Sequence, residues 1–592
     1  MLPNSLIYHQ ETSSSDPILS QKKSPIKNRI GYQLRVNPEN LKTQAIKRID
    51  SNRWKFSQER LFFCNGSSLP LIKAIKSGNN IKELHLEYSD HTFLYQKNKQ
   101  ELPHLFQSLK NLSSLQTISL DFTDCNRMTD TYLEQITQGL KKISGLKNVS
   151  LCFFGLIEIS DDGLEMMSKG LQRLKSLKKL SLKFNHSGKI TSKGLQHVSK
   201  TLKRLGSLSG LSLEFRRCGG NGNGSDLQDG LESLNRAIRK SLSCLEHLSL
   251  DFFAYIRLSN LERTLKKLKS LKTLHLAFEN IYRIDNRDLK DLSKGLKDLE
   301  LLENVSIKFS ACNSITGDGF DYLRQGLKNA RNVRDLRLHF FHCYEITDSG
   351  INSLGKTIKN FSSLNKISLK FQKCPYITDK GLTSITDSLQ TLVALKEISL
   401  DFSICYKLTN KALQNVNELL QRLPGLSSLD LAFPRCENIT DAGLGSLGKG
   451  LKNASLLKII KLDFSVCHDI TGVGLESLAK SLAKIASLQD LSLSFGMCGR
   501  ITDRGVNHIV SSLKNLVNLR SICLMFAASR KVTDGSLADL SDALKRHTHL
   551  NTISLEFYDS PGITGPGLDE VRRRLKRFPS LSKTRISING HY

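Results

Sequence analysis

Nine of the thirteen cysteines occupy one recurring position: Cys125, Cys218, Cys312, Cys343, Cys374, Cys405, Cys436, Cys467 and Cys498. Thiolates that hold zinc come in closely spaced pairs, and no such pair occurs. Disulfides belong to oxidising compartments, and the N-terminus carries no apolar secretory segment. The nine are therefore expected to be small buried thiols, one in each structural unit. Fifteen histidines and many aspartates are scattered with no recurring partner. There is no HExxH, no GxSxG and no kinase loop, and Gly219–Ser225 lacks the Lys-Ser/Thr that ends a phosphate-binding loop. The reading at this level is no enzyme, no cofactor and no metal.

The elements that carry these residues repeat. In Cys374–Leu400 a cysteine, Ile-Thr-Asp, Gly-Leu, a helical run and an apolar strand follow one another, and the order restarts at Cys405 after 31 residues. The first apolar residue of the strand falls at 84, 118, 149, 180, 211, 248, 274, 305, 336, 367, 398, 429, 460, 491, 522, 553 and 586, with a constant interval from 274 to 553. Ile398-Ser399-Leu400-Asp401-Phe402 alternates as a strand with one face buried. Leu382, Ile385, Leu389 and Leu392 recur at helical steps, with Thr378 or Asp379 as the cap and Gly381 just inside the first turn. Neither element can bury its apolar face alone, so the units must stack.

The run Cys-x-x-[Ile/Leu]-Thr-Asp-x-Gly-Leu, present at Cys374–Leu382 and closely copied at Cys343–Ile351 and Cys436–Leu444, resembles the cysteine-containing leucine-rich repeats. Two extra residues before the cysteine and a longer helical half look more like ribonuclease inhibitor. The resemblance covers about five-sixths of the chain by the span of the repeat. It implies an α/β solenoid: a curved horseshoe with parallel strands on the concave face and helices on the convex face. The expected organisation is a disordered basic arm at 1–55, an N-terminal cap at 56–80 around Leu61, Phe62 and Phe63, and the solenoid at 81–592.

In such a horseshoe the residues alternating with the buried leucines face a partner. The middle outward position is mostly serine, as at Ser306, Ser368 and Ser399, and reads as geometric. The flanking positions vary. Lys308, Arg337, His339, Lys366 and Lys370 form an expected basic patch, followed by an acidic one at Glu397, Asp401 and Asp430. Complementary charge of this kind sets specificity and on-rate.

The net charge is +30, from 86 Lys and Arg against 56 Asp and Glu. Much of it is expected on solvated helix faces and near helix C-termini. The remainder would attract an acidic protein, nucleic acid or an anionic membrane surface. Arg572–Arg577 is the densest basic run, read first as a solubilising cap, with an import signal or an anion-binding patch as the alternatives. No run of eighteen apolar residues predicts a membrane span. The expected function is a non-enzymatic, monomeric, intracellular protein-binding scaffold, cytoplasmic or nuclear. A ubiquitin-ligase substrate receptor is the alternative that the resemblance implies, although no F-box is legible. A nucleic-acid-binding solenoid is another, and would be marked by a basic stripe with aromatic side chains in stacking positions. The strand phenylalanines, such as Phe371 and Phe402, fall in the inward phase and argue against it.

Overall fold

A polar residue at every second position leaves each strand of this chain one apolar face, and the structure turns all of those faces the same way. The computed structural model describes residues 53–57, 60–64, 72–73, 75, 80–88, 98–123, 125, 128–220, 227–252, 258–279, 284–545, 547–575 and 583–587. The basic arm up to residue 52 and most of the glycine loop lie outside these, as do Lys576 and Arg577 of the basic run. The compact unit is Ile46–Tyr592.

Among the described residues, nineteen strands form one sheet. An antiparallel hairpin opens it, β1 (Arg53–Ser57) with β2 (Arg60–Cys64). β2 then pairs in parallel with β3 (Glu83–Glu87), and every later strand pairs in parallel with the next as far as β19 (Lys583–Ser587). From β3 on, a helix follows each strand but the last, and successive helices lie against one another. Strands repeat about every 4.8 Å whereas packed helices need about 8–10 Å, so the stack curves with the strands on the inside. The fold is thus an α/β leucine-rich repeat solenoid, with the sheet concave and the helices convex.

The core is a set of columns, one residue per coil. Leucines such as Leu338, Leu369, Leu400 and Leu431 have no exposed surface. Beside them runs a column of rings, from Tyr88 through Phe122, Phe153, Phe184 and Phe215 to Phe252. It resumes at Phe278 and continues to Phe557, with centroids 5.3–6.2 Å apart. Offset-stacked rings at this spacing add attraction beyond the area they bury.

The break between Phe252 and Phe278 falls where the repeat shortens. Strand β8 (His247–Phe252) pairs with β9 (Thr273–Glu279) by matching His247 to Thr273, twenty-six residues on. The intervening helix, Leu258–Leu265, has 8 residues where most have 11. A small apolar cavity remains there, lined by Leu231, Leu234, Ile238, Leu250, Leu261 and Leu276 among others. At the far end β19 matches Thr584 to Ile553, so the period of 31 continues. The sequence pattern had put that strand two residues later, at 586, because a threonine stands where the leucine is expected.

The Thr-Asp-x-Gly run stitches coils together. Thr378 caps the helix Asp379–Leu389, its hydroxyl accepting from the Lys380 amide. Asp379, the first residue of that helix, reaches sideways and accepts from the amide and hydroxyl of Thr409 on the next coil, at 3.0 and 2.7 Å. Asp348 does the same for Thr378 and also accepts from the Gly381 amide at 3.1 Å. A Cβ at Gly381 would lie 2.6 Å from that Asp348 oxygen, which is why glycine stands there.

The cysteines serve a parallel seam. Cys405 is buried, and its thiol donates to the Phe371 carbonyl on the preceding coil at 3.0 Å; Cys436, Cys467 and Cys498 repeat the contact on Phe402, Phe433 and Phe464 at 3.3 Å. Burial pushes the Cys405 thiol well above its ordinary pKa and that of Cys498 up to about 12. The residue before each such cysteine is left-handed, including Lys373, Ile404, Arg435 and Val466.

Candidate functional site

All eight residues singled out from the sequence lie on five neighbouring strands of the concave face. These are β10 (Asn304–Ser310), β11 (Asp335–Phe341), β12 (Lys366–Gln372), β13 (Glu397–Asp401) and β14 (Ser428–Ala432). Register places Lys308 opposite His339, His339 opposite Lys370, and Lys370 opposite Asp401. Lys366 faces Glu397, and Asp430 faces Ser399. Strand repetition fixes this layout, because a step of one coil moves each outward side chain by only about 4.8 Å.

The electrostatics differ from two separate patches. Lys366 Nζ lies 2.6 Å from Glu397 Oε1, so the basic and acidic groups interlock across β12 and β13. Arg337 is held by its own strand: Nε and Nη2 donate to the two oxygens of Asp335 at 3.0 and 2.7 Å. Asp335 was not among the residues expected at the site. Its signal was the spacing of two from Arg337, which puts both side chains on one face of a strand.

Asp401 is nearly inaccessible, 6% exposed, and is already occupied as an acceptor from Gln372 Nε2 at 2.6 Å and from the amide and hydroxyl of Ser403. It is a brace for the strand end rather than a contact for a partner. Asp430 accepts from the Ser399 hydroxyl at 3.1 Å.

His339 bonds through Nε2 to the Ser368 hydroxyl at 3.0 Å. Burial, and then the charges of Lys370, Lys308 and Arg337, lower its pKa to about 4, with Asp401 opposing. At neutral pH it is an uncharged imidazole among cations. The ring also stands edge-on to Phe341, 5.9 Å away, and Lys308 Nζ lies 5.1 Å from the Phe341 centroid. Phe341 is the second of two consecutive phenylalanines. Phe340 joins the buried ring column, so Phe341 faces outward and is partly exposed.

Just beyond these strand ends the loops expose tyrosines on consecutive coils: Tyr344, Tyr376 and Tyr406, at 39%, 48% and 47%. Their place in the repeat shifts by one residue relative to the cysteine, so no period announced them. Lys407 Nζ lies 5.0 Å from the Tyr376 centroid.

A second polar network lies further toward the N-terminus. Glu214 accepts from Asn185 Nδ2 at 2.8 Å, lies 3.5 Å from Lys183 Nζ, and shares Arg216 with Asp251. Among the described residues no three His, Cys, Asp or Glu side chains converge as metal ligands would, and no helix is long and apolar enough to cross a membrane.

No family model and no curated protein matches the sequence. Among solved structures the chain is similar to one from the crystal structure of the Rad7 and Elc1 complex in yeast, at 15% identity and a TM-score of 0.37, covering 82% of this chain and 92% of that one.

Proposed function

We propose that the chain is a non-enzymatic, monomeric protein-binding scaffold that seats a partner on the concave face across β10 to β14. The observation that carries this is the interlocked charge pattern of Arg337 with Asp335 and Lys366 with Glu397, held in register and about half exposed at Arg337, Lys366 and Glu397. Exposed ion pairs contribute about 0–1 kcal/mol to stability, so this pattern does little for the fold. It is suited to a partner with alternating charge, and the excess of +30 favours an acidic one. The thiol-to-carbonyl seam supports reading the repeat as the cysteine-containing subtype.

The test is capture of partners from the source cell's lysate, nuclease-treated, by the intact chain and by Arg337→Glu/Lys366→Glu. One protein set retained by the former and lost by the latter supports the scaffold. Equal capture by both, or none by either, overturns it. Ubiquitin-ligase subunits in the retained set would identify the scaffold as a substrate receptor in an intracellular ligase.

A further inference from the structure

Four aromatic side chains among the described residues stand well into solvent, and three of them, Tyr344, Tyr376 and Tyr406, lie on consecutive coils of one rim. Isolated parallel bridges join neighbouring coils there: Thr347 pairs with Tyr376, and Thr378 with Lys407. Each of the three coils carries one ring on this rim, with Tyr376 one residue further from its cysteine than Tyr344 and Tyr406 are from theirs.

Cations stand among the rings on this rim. Lys407 lies over one face of Tyr376, while nearly half of that side chain remains in solvent. Lys373, in the left-handed turn before Cys374, and Arg435, in the equivalent turn of the coil after Tyr406, stand on the same rim. Directly inside the rim, Phe341 faces outward beneath Lys308. The acidic side chains on this rim are the exposed Glu345 and Glu437.

We propose that the rim formed by Tyr344, Tyr376 and Tyr406 with Lys373, Lys407 and Arg435 binds single-stranded nucleic acid. Bases stack on exposed rings regardless of sequence, and the interleaved cations meet the phosphates. Duplex is disfavoured because its base faces are covered by their neighbours in the helix. An acidic peptide would use the cations and leave the rings idle. These residues differ from the ion pairs of the concave face, so this reading stands or falls separately from the scaffold.

The experiment measures fluorescence anisotropy of labelled oligo(dT) and oligo(rU), and of a labelled duplex, with the full chain at low and moderate salt, using polyglutamate as competitor. Tyr344→Ala/Tyr376→Ala/Tyr406→Ala is expected to weaken single-strand binding by about tenfold or more while leaving the salt slope unchanged. Tyr344→Phe/Tyr376→Phe/Tyr406→Phe should restore it, since the rings remain. Lys373→Glu/Lys407→Glu should weaken binding and flatten the salt slope. Any preference between oligo(dT) and oligo(rU) assigns the strand as DNA or RNA. Absence of binding, duplex held as tightly as single strand, an alanine variant that is folded by circular dichroism and binds unchanged, or polyglutamate outcompeting the oligonucleotides would overturn the proposal.

Discussion

Asp441 closes three hydrogen bonds onto the following coil, from the amide and hydroxyl of Thr471 and from the Gly474 amide, at 2.6–3.0 Å. With its hydroxyl proton given to that carboxylate, Thr471 can accept from the Val473 amide and cap its helix. Ser192, Asn286, Asn410 and Gly565 replace the aspartate in some coils, and in two others Gly317 and Gly472 stand where Asp is usual. The threonines that follow them, Thr347 and Thr502, make no side-chain cap bond. Asp441→Ala is therefore expected to destabilise by about 2 kcal/mol, in the range of charge-assisted hydrogen bonds. Gly472→Asp should do the reverse, gaining about 1 kcal/mol by restoring the bridge and placing an anion at a helix N-terminus. Chemical denaturation of the two variants checks both signs; stabilisation by the first or destabilisation by the second would refute the bridge as the cause.

At the level of the element, the turn between strand and cysteine is the strained part of each coil. Val466 has φ 62° and Ile404 φ 61°, and branched side chains are poorly tolerated in that region. The backbone holds the turn regardless, with the Val466 amide bonded to the Gly496 carbonyl at 2.7 Å. Val466→Asn should raise stability by about 1 kcal/mol by relieving the left-handed penalty, seen as a higher melting temperature. An unchanged or lower value would place the strain elsewhere. Nothing in the sequence marked this turn, since the position is His, Lys, Ile, Arg, Val, Met or Ala in different coils. The strands were legible because alternation of apolar residues is itself the burial pattern; the last one was misplaced because Thr584 breaks the pattern without breaking the pairing. Outward charges such as Lys308 and Lys370 were legible for the same reason. Their partners were not, because the choice of Lys366 for Glu397 and of Arg337 for Asp335 is made by side-chain reach within and across coils. Phe341 was overlooked because Phe340 beside it took the inward place. The tyrosines lie in loops, where periodicity carries no information.

For the whole unit, stability is a chain of nearest-neighbour interfaces, and one interface is poorer than the rest. At β8 and β9 the repeat is short, the ring column pauses, and a cavity remains against Leu261. Denaturant should therefore separate the unit into two blocks there, with amides of β8 and of Leu258–Leu265 exchanging faster than those of β13. Hydrogen exchange followed by mass spectrometry reads this directly, and a single transition with uniform exchange would show that the seam is as strong as its neighbours. The side-chain stitching has a further property: at the aspartate and cysteine positions it points one way. Thr409 gives its protons to Asp379, and Cys405 gives its own to the Phe371 carbonyl, so at these positions the later coil donates and the earlier one accepts, whereas the asparagine at Asn410 also donates forward to Thr440. A ribosome releases the earlier coil first. Each finished coil then offers ready acceptors to the one still emerging, and the solenoid is built to wind up in the direction in which it is made.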